Sequence, residues 1–273
     1  MIPRWSILPA AIALVSGSLM LAAAGSASAT PATHAARGGT TRVSPDGFVP
    51  GGLMKHHGAQ ARKHGKFYQE ESSNWSGFAA TGGNGSFNSV SSSWTQPAAT
   101  CDDGGDEYAA FWVGLDGFNS SSVEQTGTDS DCSGGSPVYY GWYEMYPADP
   151  VYYNDPVSPG DSMSASVAVS GDTYTIVLTD NSQGWTETQN ISESGLADSS
   201  AEVITEAPSS EFGPLPLADF GSVNYSGSTA NGQSMANDNP TQIIMVGSSG
   251  DQLDNTSSMD GSGDFSNTWE AES

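Results

Sequence analysis

No Lys, Arg or His occurs anywhere between Ser72 and the final residue, Ser273. All seven Lys and Arg residues (Arg4, Arg37, Arg42, Lys55, Arg62, Lys63 and Lys66) come earlier, as do all four His residues (His34, His56, His57 and His64). Of the 31 carboxylates only Asp46, Glu70 and Glu71 lie among those bases, so 28 fall in a base-free region and the chain carries −24 overall. This absence removes several kinds of chemistry. A Ser or Cys nucleophile normally needs His or Lys as its base. Zinc sites draw on His or Cys, and phosphoryl transfer needs a cationic clamp. Nucleic acid needs cations against its phosphates, so it is not an expected partner. Two carboxylate motifs are missing as well. There is no Asp-Thr-Gly or Asp-Ser-Gly triplet of the aspartic-peptidase kind, and no Asp-x-Asp-x-Asp-Gly calcium loop. Carboxylate-bound calcium nonetheless survives on composition.

What remains is chemistry by carboxylates, amides and hydroxyls. Acidic composition can serve solubility alone, but it does not require every base to be gone. Life at low pH explains the loss better, because there most carboxylates are neutral while each Lys, Arg or His would stand charged and unpaired.

Residues 1–29 read as a secretory signal. Arg4 starts it, Ile7 to Ala24 is largely apolar, and Ala27-Ser28-Ala29 offers a small-residue cleavage pattern. A membrane anchor is the competing reading, but Pro9, Ser16, Gly17 and Ser18 interrupt the apolar run and no later stretch could span a bilayer. Export, with no membrane partner, is therefore expected. Residues 30–71 read as a pro-segment ending in the basic run from His56 to Lys66. A flexible linker that stays attached is the alternative. As a pro-segment it would pair with the acidic region near neutral pH and weaken in acid. Cys101 and Cys132 are the only cysteines. In an exported chain they are expected to form one disulfide, worth about 3–4 kcal/mol by chain-entropy reasoning.

Residues 72–273 read as one all-β domain. Met163, Ala165, Val167 and Val169 alternate with polar residues, a Ser170-Gly171-Asp172 turn follows, and Tyr174, Ile176 and Leu178 resume the alternation. Ser162–Asp180 is thus expected to be a hairpin. Shorter runs are Ser86–Trp94, Tyr108–Gly114, Tyr139–Tyr146, Trp185–Thr188, Ala201–Ala207, Leu217–Tyr225 and Thr241–Val246. Gly, Ser, Asn, Asp and Pro clusters separate them, and no stretch has a helical period. The expected architecture is a two-sheet antiparallel β-sandwich of jelly-roll or concanavalin-like form. In the tail from Asn231, Thr241–Val246 is the one expected buried strand.

Three segments carry more specific information. They are Trp112-Val113-Gly114-Leu115-Asp116-Gly117 with Gln125-Thr126-Gly127, then Trp142-Tyr143-Glu144-Met145-Tyr146-Pro147, then Ala201-Glu202-Val203-Ile204-Thr205-Glu206. In this order they resemble the eqolisin family of glutamic peptidases, the pepstatin-insensitive acid endopeptidases. Ser73-Asn74-Trp75-Ser76-Gly77 and Ala218-Asp219-Phe220-Gly221-Ser222-Val223 look like family sequence too. The resemblance implies a β-sandwich secreted as a precursor, with a catalytic pair at Gln125 and Glu206 and neither metal nor cofactor. Glu206 would be the general base for an attacking water, and Gln125 would donate to the developing oxyanion. Glu202, Ile204 and Glu206 share a strand face, so spacing alone does not choose between the two carboxylates. Trp112, Asp116, Glu144 and Glu202 are expected as supporting or substrate-binding residues.

Two departures from the family pattern stand out. Glu124 precedes Gln125 where an apolar residue is usual, and Met145 replaces the second Trp of the Trp-Tyr-Glu-Trp-Tyr-Pro pattern. Residues 124 and 125 should face opposite sides of a strand. The expected partners are polypeptide substrates and the chain's own pro-segment, on a monomer. A glycoside hydrolase using Glu144 with Glu206 or Glu202, and a lectin-like sandwich, are the competing readings.

Overall fold

A computed structural model describes residues 51–64, 67–102 and 104–273, with backbone alone at 58–64 and 67. The secretory-signal reading and residues 30–50 of the pro-segment reading lie outside the described residues. The chain begins with a hairpin of β1 (His56–His64) and β2 (Phe67–Ser72). Then come β3 (Trp75–Thr81), β4 (Ser89–Thr95), β5 (Ala110–Asp116), β6 (Val123–Ser133), β7 (Ser136–Tyr146) and the short β8 (Val151–Tyr152). It continues through β9 (Ser162–Ser170), β10 (Thr173–Asp180), β11 (Trp185–Ser192) and β12 (Ser200–Glu206). A two-residue pair, β13 (Ser209–Ser210) and β14 (Gly213–Pro214), leads to β15 (Ser222–Ala230) and β16 (Gln233–Ser234). After a 3₁₀ turn at Met235–Asp238 come β17 (Thr241–Val246), β18 (Gln252–Thr256) and β19 (Phe265–Trp269).

The ladders make two layers. One runs β11-β10-β9-β4-β15-β19-β18 and the other β3-β12-β5-β6-β7-β8, while β17 pairs with both β18 and β3 and joins them at a corner. Every ladder is antiparallel except β2 on β17, which is parallel. The expected all-β architecture is present. Phe78, Phe111, Val113, Leu115 and Val203 of the second layer pack against Trp94, Met163, Val167, Ile176 and Tyr225 of the first. These are the inward members of alternating strands, and their burial drives the layers together. The Cys101–Cys132 disulfide is formed, tying the loop before β5 to the end of β6.

The hairpin at Ser162–Asp180 lies where alternation puts it, as β9 and β10 in unbroken register. Two expectations need correction. Leu217–Tyr225 is not one strand: Leu217 and Ala218 are buried in an irregular approach, and β15 runs from Ser222 on to Ala230. The tail also holds more buried structure than Thr241–Val246, because β18 and β19 bury Leu253, Asp254, Thr256, Phe265 and Asn267. Short, polar strands carry little apolar periodicity, which is why they did not register.

Candidate active site

β5 lies between β12 and β6, with β7 beyond, so four strands carry the motifs side by side. Their register sets Glu202, Gly114, Gln125 and Glu144 in one row. The next row on the same face is Ile204, Trp112, Gly127 and Trp142, and the third is Glu206, Ala110, Asp129 and Tyr140. Directly paired residues project to the same side. Because Val113, Leu115 and Val203 face the inter-layer core, this row-set is the opposite face of the layer. Glu124 pairs with Leu115, one residue out of phase with Gln125, and so faces the other way. Gly127 is where the motif needs a missing side chain. A Cβ there would overlap the Phe111 carbonyl and crowd Trp112.

Trp112 is the centre of this face. Its indole donates to Glu206 Oε2 at 2.9 Å, while Asn74 Nδ2 donates to Oε1 at 3.3 Å. Trp75 packs edge-on against Trp112, with ring centroids 4.9 Å apart. Burial pushes the Glu206 carboxyl up to about 8, against the hydrogen bonds from Trp112 and Asn74 and the nearby charge of Lys55. Bonds that favour the ionised base are therefore present, but burial outweighs them in this state.

Gln125 Nε2 donates to Glu144 Oε2 at 2.5 Å, which leaves Oε1 without a partner. Glu144 is itself held well above the usual carboxylate range by burial and by the charge of Glu206. Next to it, Trp142 Nε1 donates to Asp129 Oδ1 at 2.6 Å, and burial with the charge of Asp131 raises Asp129 strongly.

The other expected site residues fare differently. Trp112 and Glu144 each touch one member of the pair. Glu202 shares the face and is fully buried, yet neither of its oxygens finds a hydrogen bond. Asp116 is directed elsewhere. It ends β5 at φ 68° and accepts four bonds from the loop before β12: Ala197 N (3.1 Å) and Asp198 N (2.7 Å) on Oδ2, Ser199 N and Oγ (both 2.9 Å) on Oδ1.

What lies over this face has no motif to mark it. Gly51, at φ 79°, packs so closely that a Cβ on it would overlap Gln125 Nε2 and Glu144 Oε2, and a Cβ on Gly52 would lie 3.9 Å from Glu206 Oε1. Two consecutive glycines thus span Gln125 and Glu206. The following residues are gripped by their backbone. Leu53 O accepts from Asn74 Nδ2 (3.2 Å), Met54 N donates to Gly117 O (3.1 Å), and Lys55 N donates to Asn74 Oδ1 (2.8 Å). Lys55 O accepts from Ser72 Oγ and Ser73 N. Met54 is buried in the cluster of Trp75, Trp112, Phe118 and Trp142. His56 bridges Glu70, through a short contact, and the Phe118 carbonyl at 3.0 Å. The 71/72 boundary drawn from charge falls inside β2, which is laddered to β17. Asn74 was visible within the Ser73–Gly77 segment, but nothing in sequence assigned it a contact with Glu206.

Comparison with known proteins shows the family. The peptidase A4 family model matches residues 73–269. Aspergillopepsin-2 of Aspergillus niger is 29% identical over 272 residues, covering 89% of this chain and 94% of that protein. Among solved structures, scytalido-glutamic peptidase with a transition state analog inhibitor is 25% identical with a TM-score of 0.62, covering 72% of this chain and 98% of that one. The aspergilloglutamic peptidase from Aspergillus niger is 26% identical with a TM-score of 0.52, covering 60% of this chain and 99% of that one. This chain belongs to the peptidase A4 family and is a glutamic endopeptidase of the eqolisin type.

Proposed function

We propose that this endopeptidase acts in acid, outside the cell and as a monomer, with Glu206 as general base and Gln125 as oxyanion donor, and that its own N-terminal segment holds it latent. The observation carrying this reading is the span of Gly51 and Gly52 across both side chains. Backbone that close to Gln125 on one side and Glu206 on the other occupies the position a substrate peptide would take. In the reaction, Glu206 removes a proton from water as its oxygen attacks the scissile carbonyl. One Gln125 N–H stays with Glu144 while the other stabilises the tetrahedral oxyanion. Glu206 then returns the proton to the leaving nitrogen as the C–N bond breaks. The glutamine is neutral, so it adds no second charge beside the base.

Latency follows from the same contacts. With the segment seated, Glu206 is pushed up to about 8, so in acid it is protonated and cannot serve as a base. Departure of the segment readmits water to this face, lessens the burial and leaves the Trp112 and Asn74 bonds to favour the carboxylate. Acidification assists departure by protonating carboxylates that the basic segment faces.

The test is cleavage of a denatured protein in acid with pepstatin present, beside a panel of polysaccharides. Proteolysis after the segment is removed is expected. Polysaccharide hydrolysis in its place would favour a paired-carboxylate glycosidase. A second measurement addresses latency. Gly51→Val puts a branched side chain into Gln125 and Glu144, so the full chain should show a shortened lag in acid progress curves. An unchanged lag would mean that occupancy of the cleft is not what restrains the enzyme.

A further inference from the structure

At one end of the catalytic strands stands a cluster of carboxylates with no ion-pair partner among the described residues. Asp116 closes β5, Glu124 opens β6, and Asp198 stands just before β12. One oxygen from each lies within 4.8 Å of the other two. Asp116 is fixed by its four bonds from Ala197–Ser199, and Tyr174 Oη donates to Asp198 Oδ1 at 2.6 Å. Glu124 is different. It arrives from another strand, is fully buried, and has no hydrogen bond on either oxygen. Protonation would remove its charge but would still leave a buried carboxyl unsatisfied. No Lys, Arg or His exists from Ser72 onward to pair with it.

We propose that Asp116, Glu124 and Asp198 form a binding site for a hard divalent cation of the calcium type. Calcium takes oxygen ligands at about 2.3–2.6 Å, so two ligands across one ion stand up to roughly 5 Å apart, the scale of this cluster. Ligating carboxylates are commonly hydrogen-bonded in turn, as Asp116 and Asp198 are here. The ion would clamp the ends of the strands that carry Trp112, Gln125 and Glu206. The site needs no linear calcium loop, since its ligands come from three separate segments, and it departs from the metal-free chain that the family resemblance implied.

The experiment is calorimetric titration of the full chain with calcium chloride near neutral pH, repeated on Glu124→Gln and Asp198→Asn. One site per chain is expected, with Kd in the range of about 0.1–1 mM typical of extracellular calcium modules, and at least about tenfold weaker in either variant. Terbium added to the same proteins should give Tyr-sensitised emission that calcium quenches in the parent and that Glu124→Gln lacks. Because the terbium readout needs only folded protein at low concentration, it decides the matter if one variant is poorly stable. Absence of saturable binding by the parent, or equal affinity in folded Glu124→Gln, would overturn the proposal and assign any bound calcium to surface carboxylates.

Discussion

Glu206→Gln is expected to lower kcat/KM for peptide hydrolysis by about 10³-fold or more, while leaving the fold intact. General-base catalysis contributes roughly 10²–10⁴-fold, and Gln cannot accept the water's proton. The substitution is nearly isosteric, and it removes a carboxyl that burial already disfavours as an anion, so stability near neutral pH should not fall. Gln125→Ala should lose about 10²–10³-fold, the usual consequence of removing one oxyanion donor. It also strands Glu144, whose Oε2 then has no donor. Both losses should appear mainly in kcat, because each group acts on the transition state. Glu202→Gln serves as the control. It sits on the same face with neither oxygen bonded, so it should retain most activity. A folded Glu206→Gln enzyme that cleaves like the parent would refute the assigned base. Equal losses in Glu202→Gln and Glu206→Gln would instead point to a carboxylate pair.

The competition between those two glutamates shows what sequence could and could not resolve. Alternation places Glu202 and Glu206 on one strand face, and the structure agrees. What separates them is contact made across the sheet and from the N-terminal side. Trp112 and Asn74 converge on Glu206, whereas Glu202 lies opposite Gly114, which offers no side chain. Half-buried strands such as β9 and β10 were legible because water on one side and core on the other impose period two. β6 was not. Ten of its eleven residues are buried on both faces, yet the strand is rich in Glu, Gln, Thr, Asp and Ser, so neither alternation nor an apolar run marks it. That strand nevertheless carries Gln125, which only the motif resemblance revealed. The Gly51–Lys55 crossing was the least legible element. Two glycines before a basic run read as linker, and their close fit depends on side chains more than 70 positions away in sequence.

The second large effect is on stability. Between about pH 4 and about pH 7.5 the mature domain is expected to lose much of its folding free energy, and its melting temperature should drop accordingly. Repulsion among the exposed members of the 28 base-free carboxylates contributes, but buried groups dominate. Asp254 sits inside a polar network. Ser76 Oγ donates to it, and Asn267 Nδ2 in turn reaches Ser76 Oγ (3.1 Å) and Thr205 Oγ1 (2.9 Å). Burial still pushes Asp254 up to about 7 from 3.8, and it raises Asp129 and Glu144 strongly as well. Each such carboxyl stays protonated in the folded state over a range where the unfolded chain has already ionised. Unfolding then releases protons, so stability is complete below the unfolded value near 4 and declines as pH climbs toward the folded value. For a rise like that of Asp254 this corresponds to roughly 4 kcal/mol, against a total of about 5–15 kcal/mol for a typical domain. One such group already removes a large share of that total. Asp254→Asn should flatten the decline, since an amide holds the same bonds at any pH. In the full chain the basic segment offsets part of the surface repulsion, whereas Glu206, pushed up to about 8 with the segment seated, adds to the decline. Melting curves in chelator at the two pH values decide the point: equal midpoints for the mature domain would mean that its buried carboxylates ionise as readily folded as unfolded.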